Sequence, residues 1–396
     1  MNERDGASPP AGPTGGAIAA DDRKSAAVAT ANHRTPPGAT RLTRFADLRA
    51  VLRSPQAVQA MHGGEAFVSD NPDQVPIAYL DGEPHRHRRA AIARFFTPKM
   101  IVSRYRAVIE RTSDLLIAEL QANRTAVLDI MSFELAANVV AEVVGLTETP
   151  NKALSRRLRR ILETGLVLHP RAIVRGIGKA WLGVQLAHFY RKDVAPAIAE
   201  RRRAPREDVL SHMIAGNYSK RAMLTECFLY GMAGMTTTRE LITMAAWHLL
   251  DDPVLRQKFL DSGEDGQIAI VEEILRLEPI TGQIYRKLED RPDAVPTGGD
   301  YVLDIREANC DPEVAGAEPH RLLPGRAQRM RAGAGYMSFG DGPHRCPGAQ
   351  LALHETRGFL DRLMRVPGLR LVGEPRIGWS YGVHGYELRR AIIACD

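Results

Sequence analysis

The chain has 396 residues, 44% hydrophobic and 25% charged, an ordinary globular balance with enough length to bury a core and a sizeable ligand. Its net charge is +6, but no nucleic-acid-binding motif accompanies the excess, so the expectation is a solvated basic surface or a patch that steers an acidic protein partner. Four cysteines without C-x-x-C or zinc-like spacing argue against a metal cluster and fit a reducing compartment; no apolar run of about twenty residues or signal-peptide core is present, so a cytoplasmic protein without a membrane anchor is expected.

Residues 1–38 are rich in Ala, Gly, Pro, Ser and Thr without periodicity, and are expected to be a disordered leader before a single domain over 39–396. A short helix is expected over 42–52. After a loop with Pro72 and Pro76, Ile92, Phe95 and Phe96 recur at helical spacing, and Pro98 is expected to end that helix. His85 and Arg89 lie four apart and share a face, which by itself reads as a solvated basic face. Arg86, Arg88 and Arg94 are expected outside, where they could meet a protein partner.

Residues 100–215 read as helices throughout. From Ser219, a credible N-cap, to the stop at Asp251-Asp252-Pro253, some thirty mostly apolar residues make a buried rod on the order of 45 Å long. Its middle reads Ala233-Gly234-Met235-Thr236-Thr237-Thr238. Small residues there leave room for a flat group, and a mid-helix threonine can bond back to the preceding turn and loosen it. Glu273 and Arg276 are three apart on a later helix and can pair. Tyr285 to Asp290 reads as the entry of a strand, and Cys310 as a packed core thiol. From Gly368 onward, alternating apolar and polar residues read as strands of a small sheet.

The most specific stretch is Phe339-Gly340-Asp341-Gly342-Pro343-His344-Arg345-Cys346-Pro347-Gly348. A lone cysteine stands in a Gly-rich loop just before a helix starting at Ala349, where peptide dipoles favour a thiolate. The run F-G-x-G-x-H-x-C-x-G resembles the haem-ligand loop of the cytochrome P450 family, of the soluble bacterial type. A haem held by a cysteine thiolate is a property of that family, not a deduction from these residues.

The resemblance covers roughly residues 40–396. It implies a mainly α fold with a smaller β part and haem b between the long central helix and the cysteine loop. It implies that Cys346 is the axial iron ligand, that His85, Arg89, Arg286 and His344 contact the propionates, and that Phe339, Ala233, Gly234 and Gly348 lie against the ring. Thr237, with Thr236 beside it, matches the family's proton-delivery position. Glu273, Arg276 and Arg321 match a Glu-Arg-Arg brace behind the thiolate loop. Residues 150–200 fall where the family has its substrate lid, with Leu166, Val167, Leu168, Ile173 and Trp181 as candidate lining, and 381–384 where a hairpin enters the pocket. A small-molecule substrate and a ferredoxin-type electron donor with its reductase are the implied partners, with no nucleic acid and no membrane.

Three positions depart from the pattern: Thr236 stands where an acid is usual, Leu322 where an aromatic is usual, and Cys310 where an arginine is usual. A hydroxyl at 236 passes on only a proton it receives. Glu240, one turn on, either substitutes for the acid or is a satisfied polar residue. The implied activity is a monooxygenase that hydroxylates a small natural product of secondary metabolism. The alternatives are an oxidase that couples aromatic or cyclic-dipeptide units through C–C or C–N bonds, for which the missing acid speaks, and a non-catalytic haem-binding or sensor protein.

Overall fold

The long helical rod gives the molecule its axis. In the computed structural model, which describes residues 21–60, 75–162, 171–288, 299–330 and 336–396, it runs as one continuous trace from Lys220 to Asp251. An α-helix, Lys220–Tyr230, passes through a π-helical turn, Gly231–Thr236, into a second α-helix, Thr237–Asp251. Ser219 Oγ accepts from the Ala222 N–H at 3.1 Å and starts the rod. Asp252 caps the following helix, accepting from Val254 and Leu255 with Pro253 at its first position, and so ends it.

The wide turn falls on Ala233-Gly234. There the hydroxyls of Thr236 and Thr237 donate to the carbonyls of Met232 and Ala233 one turn back, at 2.5 and 2.6 Å. Beyond it the rod is buried on every side, from Leu241 to Leu249, against the helices Leu128–Val144 and Ala349–Leu363. Each fully buried Leu, Ile or Met there contributes about 1.5–3 kcal/mol.

Nine short strands occur among the described residues: β1 Thr40–Leu42, β2 Ala57–Gln59, β3 Thr125–Val127, β4 Gln283–Leu288, β5 Gly299–Asp304, β6 Arg370–Leu371, β7 Arg376–Ser380, β8 Gly385–Arg389 and β9 Ile392–Ala394. They form a four-stranded sheet in the order β1-β5-β4-β2, a three-stranded sheet β3-β9-β6 and the hairpin β7-β8. In the first, Gln59 of β2 lies opposite Arg286 of β4. A small second core of Phe45, Leu48, Val51, Leu303 and Met337 packs the helix Phe45–Arg53 beside that sheet. With 63% of the described residues in helix and 11% in strand, the fold is mainly α with a smaller β part. No described helix is long and apolar enough to cross a membrane.

Several expectations need correction. The chain is folded onto the body from residue 21, not 39. Asp22 accepts from Arg321 Nε at 3.0 Å and the Leu322 N–H at 2.8 Å, Lys24 lies over the Trp247 ring at 4.6 Å, and buried Ser25 bonds Glu278 and Arg306. Charge and polar bonds fasten this segment, so no apolar stripe announces it. The helix Gly82–Ala93 stops before Pro98, which instead opens the next helix with Thr97 as its cap. Ile173 and Trp181, proposed as pocket lining, are exposed. Leu166, Val167 and Leu168 lie outside the described residues.

Candidate active site

The cysteine loop is wound by its own backbone. Cys346 N–H donates to Phe339 O at 2.8 Å, Gly340 N–H to Met337 O at 2.8 Å and Arg345 N–H to Gly342 O at 3.1 Å. Gly342 has φ +67°, and a Cβ there would stand 2.1 Å from the Leu52 carbonyl oxygen, so both backbone conformation and space demand glycine. The helix Ala349–Leu363 leaves directly from this loop.

A cavity of about 360 Å³ separates the loop from the central rod. Cys346, Pro347, Gly348 and Leu351 line one wall, and Leu229, Tyr230, Ala233, Gly234 and Thr238 the other. At one edge stand Gln59, His85, Arg89, Arg286 and His344. The walls are mostly apolar with a few convergent polar groups, as small-molecule sites are.

The polar edge is ordered by hydrogen bonds. Arg286 donates to Gln59 Oε1 at 2.6 Å and to the Tyr285 carbonyl at 2.8 Å. The Gln59 amide meets His344 Nδ1 at 3.0 Å, and His344 Nε2 meets Asp81 at 2.9 Å. With the amide donating to Nδ1, the imidazole proton sits on Nε2 and goes to Asp81. Burial pushes the Asp81 carboxyl up, but hydrogen bonds from His344 and the Gln59 N–H bring it below the usual range. The His85 ring stacks on His344 with centroids 4.0 Å apart. Burial, then His344 and Arg89, push His85 down to about 4, so it is neutral at neutral pH. Burial lowers the Arg286 guanidinium to about 10, with Asp81 opposing. Arg89 donates to the Arg345 carbonyl.

Burial pushes the Cys346 thiol up, against a hydrogen bond from the Gly348 N–H and the charges of Arg89 and Arg345. Burial thus works against the thiolate that the helix end favours, and a bound metal ion would favour it. The residues fit haem. A flat apolar slot carries one soft donor on its wall, and Arg89 and Arg286 at its edge have no ion-pair partner among the described residues. Cations of this kind, buried at Arg286 and half-buried at Arg89, suit a ligand that brings its own carboxylates.

Eight of the residues singled out in the sequence line this one cavity: Cys346, Gly348, Ala233, Gly234, His85, Arg89, Arg286 and His344. Three do not. Phe339 packs on the core and reaches the cysteine only through its carbonyl. Thr236 and Thr237 are turned to their own helix, and Thr238 lines the cavity instead. Glu240 is the satisfied polar residue of the two alternatives, pairing with Arg239 and accepting from the Leu388 N–H at 2.7 Å and Arg389 at 3.2 Å.

The brace behind the loop has a different third member. Glu273 takes Arg276 at 2.9 Å and Arg326 at 3.0 Å, whereas the Arg321 side chain pairs with Asp22 and only its carbonyl joins the network. Arg326 follows Gly325, whose left-handed φ of +81° turns the chain back toward Glu273, and nothing in the spacing marks it. Gln59, Asp81 and Tyr230 also escaped notice. Gln59 was hidden in a three-residue strand, and Asp81 precedes its helix as an ordinary turn residue would. Glu355 was missed as well: it lines the cavity, one carboxylate oxygen has no hydrogen-bond partner, and burial pushes it up to about 8.

No family model matches the chain. Among curated proteins it is similar to the biotin biosynthesis cytochrome P450 of Bacillus subtilis (strain 168), 27% identical over 311 residues that cover 75% of this chain and 73% of that one. It is also similar to the erythromycin C-12 hydroxylase of Saccharopolyspora erythraea, 27% identical over 340 residues that cover 83% and 81%. Among solved structures it matches CalO2 with a TM-score of 0.75 and 25% identity over 92% of each chain. It matches P450BioI, solved in complex with an acyl carrier protein ligated to hexadec-9Z-enoic acid, with a TM-score of 0.74 and 23% identity over 90% and 92%. Fold, cavity and relatives agree: the chain has the fold of the bacterial cytochrome P450s and is similar to them over most of its length.

Proposed function

We propose that this chain holds haem through Cys346 and inserts oxygen into a small natural-product substrate. The observation that carries the reading is the placement of a lone thiol on one wall of the slot and the π turn at Ala233-Gly234 on the other. Arg89, Arg286, His85 and His344 hold the propionates, and Gln59 and Asp81 fix the orientation of Arg286 and His344. When bound, haem supplies the redox chemistry that activates dioxygen.

The chain's own residues govern substrate placement and protons. Ala233 and Gly234 leave the rod thin where a substrate must approach, and Gly234 sits against Val140, which leaves no room for a side chain. The Thr237 hydroxyl already donates to Ala233 O, so it accepts a proton donor readily and must release that carbonyl to donate onward. With a hydroxyl at 236 and Glu240 tied to β8, no acidic side chain among the described residues hydrogen-bonds Thr237 to refill it. A ferredoxin-type protein supplies electrons, and four free thiols support a reducing, cytoplasmic setting.

That shortage of acids favours a second reading, an oxidase that joins aromatic or cyclic-dipeptide units with little oxygen inserted. The name of the erythromycin C-12 hydroxylase speaks for oxygen insertion in that relative. Turnover under labelled dioxygen with a ferredoxin system decides. One labelled oxygen atom per product molecule is expected; coupled, unlabelled products would overturn the monooxygenase reading in favour of the second.

A further inference from the structure

Arg88 was expected on the surface and is 7% exposed. It lies next to Arg89 on the helix Gly82–Ala93 but does not line the haem slot. Its guanidinium donates to Glu226 Oε1 and to the Val75 carbonyl. Glu226, on the helix Lys220–Tyr230 and 4% exposed, accepts at the same oxygen from the Ile77 N–H at 3.0 Å. One buried ion pair therefore ties two helices to the backbone at Val75 and Ile77.

That backbone leads into the 3₁₀ turn Ile77–Tyr79, and Ile77 and Ala78 are part of the cavity wall. Behind the turn, Glu226 Oε2 has no hydrogen-bond partner among the described residues, and a void of about 20 Å³ is walled by Glu226, Arg88, His212, Tyr218 and Tyr230. It has room for one water, which the free carboxylate oxygen can hold. The Arg88 guanidinium also lies over the Tyr218 ring at 5.5 Å.

An apolar pair of similar volume would join the two helices as well as this ion pair does, because desolvating both charges is costly. No leucine or methionine, however, can satisfy the Val75 carbonyl and the Ile77 N–H. Holding those two groups is what the charges add.

We propose that Arg88–Glu226 is a specificity-determining latch: it fixes the turn Ile77–Tyr79 against the cavity and so sets the room available to a substrate beside Ile77 and Ala78. The latch rests on the reading of this cavity as the haem and substrate site. Neither residue touches the reacting atoms; both act by position.

The test uses the haem-loaded protein, its Glu226→Gln variant and the Glu226→Leu/Arg88→Met double variant, which keeps the helix contact apolar. Hydrogen exchange is read at the Ile77 amide, and binding of imidazole and of 4-phenylimidazole is read from the Soret band. Loss of hydrogen bonds to charged groups is expected to speed exchange at Ile77 about ten- to a hundredfold in the double variant and about tenfold in Glu226→Gln. The bulky azole should change its dissociation constant by about tenfold while imidazole, the smaller probe, stays within about twofold. Unchanged protection at Ile77, or equal shifts for both azoles, overturns the latch. Haem content and the carbon monoxide spectrum report the site reading separately, since they depend on Cys346 and not on this pair.

Discussion

Replacing Arg326 by alanine separates the brace seen in the structure from the one the sequence suggested. Arg326 is buried; besides Glu273 it donates to the carbonyls of Ala315, Ala317, Glu318 and Arg321. The alanine variant leaves Glu273 with Arg276 alone and strands most of those carbonyls. Breaking a buried pair in this way costs about 3–5 kcal/mol. Arg321→Ala removes only a half-exposed pair with Asp22, worth about 0–1 kcal/mol. For a chain of this length each kcal/mol shifts the melting temperature by roughly 1 °C. The brace reaches the thiolate loop through Asn309, whose backbone carbonyl Arg276 bonds at 3.1 Å and whose side chain bonds Met337 N–H and Ser338 Oγ at 2.9 and 2.8 Å, just before Phe339. Thermal unfolding of the haem-loaded variants, followed at the Soret band at one scan rate, should therefore fall by about 3–5 °C for Arg326→Ala and by about 1 °C or less for Arg321→Ala. Equal losses, or a larger loss at Arg321, would refute the assignment of Arg326 to the brace.

Three further substitutions, each of a single residue, have definite expected outcomes. The Glu355 carboxyl is raised by burial to about 8, so the stability it contributes in its neutral form is complete below its unfolded value and is lost as pH rises to about 8. Glu355→Gln should remove that loss, which runs at up to about 1.4 kcal/mol per pH unit, and the two stability curves should diverge between about pH 5 and 8; parallel curves would contradict it. Gly342→Ala meets both a left-handed backbone and the Leu52 carbonyl, and should cost at least about 2 kcal/mol and lower haem retention. Gly373→Ala, with φ +81° but open space around it, should cost only about 1–2 kcal/mol and leave retention unchanged.

Much of the site was legible because its chemistry fixes residue types at short spacing. The cysteine loop, the Ala233-Gly234 turn and the His85/Arg89 face each lie within one stretch of chain and meet at one cavity. What stayed hidden depends on contacts between distant stretches. Gln59 reaches Arg286 only because two strands pair, and Arg326 replaces Arg321 only because the chain turns at Gly325. Arg88 shows the limit of reading one helical face. Its helix is packed on two sides, so a position off the cavity face is still interior, and its acid lies on another helix. The segment after residue 21 was misread because it is held by charge rather than by burying apolar surface.

The central claim is a bond between the Cys346 sulfur and haem iron, and it is tested most directly by the absorbance of the reduced protein under carbon monoxide. The haem-loaded wild type should show the red-shifted Soret band of a sulfur-bound haem, and Cys346→Ser should lack it. A wild-type protein that takes up haem without that band, or a serine variant that keeps it, would contradict the account.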